Sequence, residues 1–278
     1  MGTPLGDFLR AKRDSIQPAS LGLPDHGRRR SPGLRRADVA VRAGISVEYL
    51  TRIEQGRDRH PSPAVVNALA DALSLDPAER NHLRYLTKIT GGECAAHARP
   101  APVSRSVRPA VLETLRLLEP AVAAVTNRLG DVLAHTPGYA AVLGAGGLLD
   151  AEEPNLTRYV FTDPRAREFF PDWGHVADEQ AFDLWLGPSV ETAAWFTSDL
   201  AAAAGPEFTR RLNRHLVPDR GALRIAHPSG PLLRLTRETL ELSDDAQQLT
   251  VLLPADETTA TAVAQLLDGP PRHLKALA

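Results

Sequence analysis

The chain reads as an all-α N-terminal domain of five helices followed by an α+β domain built on an antiparallel sheet of about five strands. Three observations carry this reading. Through residues 1–90 the apolar side chains recur at three- and four-residue steps, the spacing of one helix face. Thr90 to Pro109 then gathers Gly91, Gly92, Pro100, Pro102 and Pro109 with little apolar periodicity, which suits a connection between folded units. Beyond it, short β-rich runs bounded by turn signals such as HPSG (227–230) and SDDAQ (243–247) alternate with helical stretches. The expected division is 1–90, a linker at 91–109 and a second domain at 110–278, each part long enough to bury a core.

Taken in order, Leu5, Phe8, Leu9 and Ile16 give a first helix over 4–16. Pro18, Pro24 and Pro32 then interrupt regularity, so Gln17 to Gly33 is an insertion. The most informative stretch follows, RRADVAVRAGISVEYLTRIEQG from Arg35 to Gly56. Val39, Ala40, Ala43, Ile45, Leu50 and Ile53 give two short helices one inward face each. Gly44 suits the left-handed backbone at the turn between them, and Ser46 suits the cap of the second. This is the pattern of a helix-turn-helix that docks on DNA. The outward positions Val47, Glu48, Thr51 and Arg52 of the second helix are the candidates to reach base edges in the major groove. Pro63 to Leu75 is a further helix with Val65, Val66, Leu69, Ala72 and Leu73 inward, and Asp76-Pro77 starts a fifth, striped by Leu83, Leu86 and Ile89.

Charge follows the same division. Residues 1–90 carry 15 basic and 10 acidic side chains, a net of +5, whereas 91–278 carry 17 and 24, a net of −7. Lys and Arg that neutralise phosphates release counterions, so Arg28, Arg29, Arg30, Arg35 and Arg36 are candidate phosphate contacts, joined by Ser46, Tyr49 and Arg57 around the second motif helix. The insertion's arginines suit an arm along the DNA backbone or in the minor groove.

In the second domain, helix is expected at Val111–Leu118, strands at Ala121–Thr126 and Asp131–His135, and helix again at Tyr139–Leu143. A helical middle follows at Asn155–Phe161, Pro164–Phe170, Asp178–Leu186, Val190–Ala204 and Pro206–Leu216. Ala222–His227, Leu232–Leu242 and Gln248–Pro254 read as an antiparallel meander, and Glu257–Leu267 as a last helix.

Several strings carry a resemblance. LGDFLRAKR (5–13), LGLP (21–24), GRRRSPGLRR (27–36) and SVEYLTRIEQGR (46–57) resemble the MmyB-type regulators of actinobacteria, within the Cro/repressor (Xre-type) helix-turn-helix family. NLTRYVFTDPRAREFFPDW (155–173) and FTRRLNRH (208–215) resemble the second domain of the same family. The chain departs from the family at DVLAHT (131–136), where a tryptophan and an asparagine are usual. The resemblance implies a PAS-like second domain with a pocket between sheet and inserted helices, suited in some relatives to a long apolar ligand such as a fatty acid. Phe161, Phe169, Phe170, Trp173, Trp185, Trp195 and Phe196 are the candidate liners, with core packing the alternative for each. Trp195 and Phe196, adjacent on a helix, cannot point the same way.

An enzyme is not expected. His175/Glu179 and Asp131/His135 share a four-residue spacing, but each lacks a third metal ligand, and a strand carries the second pair too far apart. No Gly-x-Ser-x-Gly elbow occurs, and GAGG (144–147) does not precede Lys-Ser or Lys-Thr. The lone cysteine, Cys94, excludes an intrachain disulfide. Without a run of about 18 apolar residues or the basic-then-apolar order of a secretion signal, a soluble cytoplasmic protein is expected, with no membrane partner. The expectation is a sequence-specific regulator acting as a homodimer on a double-stranded operator, with no cofactor. It is controlled by a small apolar ligand in the second domain; the alternative is a second domain that only dimerises or binds another protein.

Overall fold

A computed structural model describes residues 3–23, 33–91, 105–185, 190–230, 232–242 and 246–267. They fall into two compact units, one of Met1–Arg99 with Arg210–Val217, the other of Pro100–Thr209 with Pro218–Ala278.

In the first unit, α1 (Pro4–Ser15), α2 (Arg36–Ala43), α3 (Val47–Glu54), α4 (Pro63–Ala72) and α5 (Pro77–Thr90) match the expected helices, with a 3₁₀ turn at Pro18–Leu21 between the first two. Their limits are chemical. Thr3, Ser46 and Ser62 each accept a hydrogen bond at a helix start from the amide of Gly6, Tyr49 and Val65, a capping interaction that contributes about 1 kcal/mol. At α5 the cap is reciprocal: the Glu79 amide donates to Asp76 Oδ1 at 2.8 Å, and the Asp76 amide to Glu79 Oε2 at 3.1 Å. Leu5, Phe8, Leu9, Leu34, Val39, Leu50, Ile53, Leu69, Leu83 and Leu86 close around one core. Ile45 and Val65, expected inward, pack at its edge and remain partly exposed. A single contact shows how tightly α1 meets α3: a Cβ on Gly6 would lie 2.4 Å from the carbonyl oxygen of Glu54.

The second unit carries one antiparallel sheet, β1 (Val122–Asn127), β2 (Val132–His135), β3 (Leu223–Ala226), β4 (Leu232–Leu242) and β5 (Gln247–Pro254), in the order β2-β1-β5-β4-β3. This is the PAS-like arrangement that the resemblance implies. Strand alternation sends the two faces to different neighbours. Ala123, Val125, Leu133 and Leu249 pack under Val111 and Leu115 of α6 (Pro109–Leu117). Val122, Ala124, Val132, Leu223, Ile225, Leu233, Leu235 and Leu252 face the larger core. That core is built with α7 (Pro137–Leu143), α8 (Leu156–Thr162), α9 (Arg165–Phe169), α10 (Trp173–Asp183) and α13 (Glu257–Leu267). Both faces of β1 are covered, which explains the unbroken burial of VAAVTN. Two more helices complete the order, α11 (Val190–Ala204) and α12 (Pro206–Arg214).

One boundary differs in a way that matters for the site. Helix α10 begins at Trp173, five residues before the expected Asp178. The amides of His175 and Val176 bond to the Asp172 carbonyl, and the Trp173 indole donates to the Val160 carbonyl at 2.8 Å, so a tertiary anchor adds a turn that periodicity does not reveal. Among the described residues, no helix is long and apolar enough to cross a membrane.

Candidate nucleic-acid interface and ligand cavity

In the first unit the motif helices are set by backbone and charge together. Gly44 ends α2 at φ 63°, where a side chain would be strained, and its amide and that of Ile45 close on Val41 and Ala40 carbonyls. From there α3 starts at the Ser46 cap, with Tyr49 N–H donating to Ser46 Oγ at 3.0 Å. At the end of α3, on its inward side, is Glu54, 1 % exposed. Arg13 Nε donates to its Oε1 at 3.0 Å and Arg36 Nε to its Oε2 at 2.7 Å, while Arg10 donates to its backbone carbonyl at 2.9 Å. A carboxylate taken out of water is tolerated only when paired and hydrogen-bonded, and here the pairing locks α1, α2 and α3 together. Arg13 also donates to the Leu34 carbonyl at 2.8 Å, joining the segment that enters α2.

The outer edge of α3 is accessible. Ser46, Val47, Glu48 and Arg52 are exposed, and Thr51 and Tyr49 are half-buried. The Arg52 guanidinium carbon stands 5.4 Å from the centre of the Tyr49 ring, a cation–π contact that holds the charge over the helix. Thr51 Oγ1 donates to the Val47 carbonyl at 2.7 Å, so its proton is engaged within the helix. Arg35 and Arg57 are exposed. The structure gives Arg36 a task that the sequence reading did not include, since its guanidinium partners buried Glu54. Arg28, Arg29 and Arg30 lie outside the described residues, as does Cys94.

In the second unit, the inner face of the sheet and helices α7, α8 and α10 line a partly open cavity of about 70 Å³. Leu143, Phe170, Val176 and Leu252 form apolar wall; Thr126, Tyr139, Gln180 and Arg237 bring polar groups to it. Arg237 donates to buried Glu179 Oε2 at 2.7 Å, and Arg220 is paired with Asp183. Thr157 Oγ1 donates to Gln180 Oε1 at 3.0 Å.

The structure distributes the seven aromatic candidates between this cavity, the core and the surface. Of the seven candidates, Phe170 lines the cavity. Phe169 and Trp173 are buried in the core, and Phe161 packs against it with its ring centre 4.9 Å from that of Phe208. Phe196 is buried while Trp195 is 61 % exposed, which confirms that the adjacent pair diverges. Trp185 is half-buried and, like Trp195 and Phe196, does not line this cavity. Phe161, Phe169 and Trp173 settled into interdigitated packing, and Phe170 and Tyr139 reach the void among smaller and polar side chains. A signal for the missed liners does exist: on β4 the inward positions run Leu233, Leu235, Arg237, Thr239, so a cation falls where alternation calls for an apolar residue.

The remaining pairs are structural. His175 Nε2 lies 3.4 Å from Glu179 Oε1, but Glu179 already serves Arg237. Asp131 accepts from Asn127 Nδ2 at 2.7 Å and Asn155 Nδ2 at 2.8 Å, and His135 Nδ1 lies 3.0 Å from the Thr136 carbonyl. Thr136, within the divergent DVLAHT string, caps α7 through the Tyr139 amide and accepts from the Ala123 amide of β1. Among the described residues no group of three His, Cys, Asp or Glu is placed to hold a metal.

Comparison with known families agrees with this geometry. A profile of the MmyB-like transcription regulator ligand binding domain matches residues 107–267, and a helix-turn-helix domain profile matches residues 4–83. No curated protein matches the chain at a significant level. With a capped, exposed second helix in one unit and a cavity inside the family's ligand-binding region in the other, the chain belongs to the MmyB-like transcription regulators and is a DNA-binding regulator.

Proposed function

We propose that this protein binds a specific operator through α3, with Val47, Glu48, Thr51 and Arg52 at base edges and Arg35, Ser46, Tyr49, Arg57 and the Arg28–Arg30 run at phosphates, and that a small ligand in the second domain sets operator affinity. The observation that carries the first half is the exposed edge of α3, a helix capped at Ser46 and anchored on its other side by buried Glu54. The second half is supported by the cavity, whose Leu143, Phe170 and Leu252 offer an apolar wall to a fatty-acid-like molecule. Two copies acting together fit the reading: half-sites about one helical turn apart are matched in one ligand state and missed in the other.

Selection of binding duplexes from a randomised pool tests the assignment. The wild-type chain is expected to enrich one sequence, Arg52→Ala to relax preference at one position of it, and Arg29→Ala to weaken all DNA alike and lower the salt slope by about one. Identical behaviour of the two variants would sink the division between base and phosphate contacts. A second reading, in which the second domain serves self-association alone, is favoured by Leu232, Leu240 and Leu253, which are 39, 54 and 44 % exposed on the sheet face opposite the cavity. It predicts dimers whose operator affinity no small molecule alters.

A further inference from the structure

The outer face of the sheet is covered over part of its width. Helix α6 packs on Ala123, Val125, Leu133 and Leu249, whereas Leu232 and Leu240 of β4 and Leu253 of β5 stay open to solvent. An antiparallel sheet with one face in water carries polar side chains at such positions, so three leucines there call for a partner. Strand β4 lies between β5 and β3 with its backbone paired on both sides, and whatever meets this face therefore meets side chains.

The order of side chains along β4 identifies that partner. Leu233 and Leu235 enter the core, so alternation sends Leu232, Arg234, Thr236, Glu238 and Leu240 to the outer face, and all five are exposed. Outward from Thr236 in either direction stands an ionic residue and then a leucine, with the two ionic residues opposite in sign. The stripe is thus its own complement when reversed. Within one chain the two charges are about 13 Å apart along the strand, too far to pair. Among the described residues Glu238 has no salt-bridge partner, and its cross-strand neighbour is Val251. Arg234 Nε stands 3.8 Å from Asp256 Oδ2, the other oxygen of which accepts from the Thr259 amide. Directly across from Arg234 on β3 is another cation, Arg224, itself 3.2 Å from Asp172, and like charges so opposed repel. The stripe lacks a close anion at Arg234 and a cation at Glu238.

We propose that a second copy of this chain supplies both, docking on the same face with its β4 antiparallel to the first about Thr236, so that Arg234 of each copy meets Glu238 of the other and Leu232 meets Leu240. A two-fold interface requires a patch that complements itself, which this stripe does. Packed sheets stand about 10 Å apart with strands within about 30° of one another, a gap that arginine and glutamate side chains bridge from opposite sides. Leu253, the cross-strand neighbour of Thr236, lies at the centre of the contact. This rests on the reading in which two copies act together, and it names the face and the register by which they meet.

The experiment follows the full chain by sedimentation velocity over a concentration series, with Arg234→Glu, Glu238→Arg, an equimolar mixture of the two, and the doubly exchanged chain that carries both substitutions. The wild-type chain is expected to dimerise. Each single substitution sets like charges against each other on both sides of the two-fold and is expected to weaken the dimer by about ten-fold or more. The mixture is expected to recover it as a heterodimer in which every ionic contact is again opposite in sign, which also shows both variants to be folded. The doubly exchanged chain reverses both charges at once and is expected to dimerise like the wild type. Single variants as dimeric as the wild type would overturn the proposal. So would variants that dissociate and recover neither on mixing nor in the doubly exchanged chain. In both cases two copies still act together, through another register or another face. A wild-type chain that is monomeric at every concentration, and binds the selected duplex as one copy, would overturn the proposal and the two-copy reading together and leave the face to a different protein.

Discussion

Glu54 is the residue on which the DNA-binding unit turns. It stands in the family-like string RIEQG, yet its role depends on Arg13 and Arg36, 41 and 18 positions away in sequence. The two partners differ in exposure, and so in their expected contribution. Arg13 is shielded, and Arg13→Ala is predicted to lower the unfolding free energy by about 3 kcal/mol in urea denaturation, because it strands a buried carboxylate. Arg36 is 42 % exposed and screened by solvent, so Arg36→Ala is predicted to remove only about 1 kcal/mol. Equal losses would show that burial does not grade the network. Ser46→Ala is predicted to remove about 1 kcal/mol through the lost cap and to weaken DNA binding by fraying the start of α3.

At the scale of elements, α1 and α5 meet through an aromatic contact that carries a pH dependence. His82 of α5 packs edge-on against Phe8 of α1, ring centres 5.1 Å apart. Burial, with Lys12 adding repulsion, lowers its pKa to about 4. His215, of the Arg210–Val217 segment in the same unit, is lowered to about 3 by burial and by His82. The unfolded chain binds a proton at each near the ordinary value of about 6.5, whereas the folded chain does not. Stability from this source is therefore complete above about pH 6.5 and is lost as pH falls toward 4, at about 1.4 kcal/mol per pH unit for each histidine. Urea midpoints measured across that window are predicted to fall with acid, and His82→Leu to flatten the slope by one histidine's share. An unchanged slope in the variant would remove His82 from the account.

For the molecule as a whole, association is the open question that the sheet's outer face addresses. Leu240 is paired across from Leu249, whose side chain is buried under α6, while Leu240 itself remains more than half exposed. If two copies bury this face, Leu240→Glu is predicted to shift a dimer to monomer in light scattering and to weaken operator binding, because two half-sites are then no longer engaged together. A Leu240→Glu chain that remains dimeric would place the interface elsewhere.

Much of this was legible in the chain because it is local. The Gly44 turn, the Ser46 cap, the Asp76-Pro77 start and the strand at Leu232–Leu242 depend on residues within a few positions of one another, and all stand where expected. The early start of α10, the partnership of Arg36 with Glu54 and the composition of the cavity were decided only by tertiary packing. An aromatic side chain looks the same in sequence whether it fills a core or faces a void, and Phe161, Phe169 and Trp173 went to packing while Tyr139 came to the cavity. Local chemistry determines which helices and strands form. Which side chain is left facing empty space is a property of how distant surfaces fit together, and no window of neighbouring residues contains it.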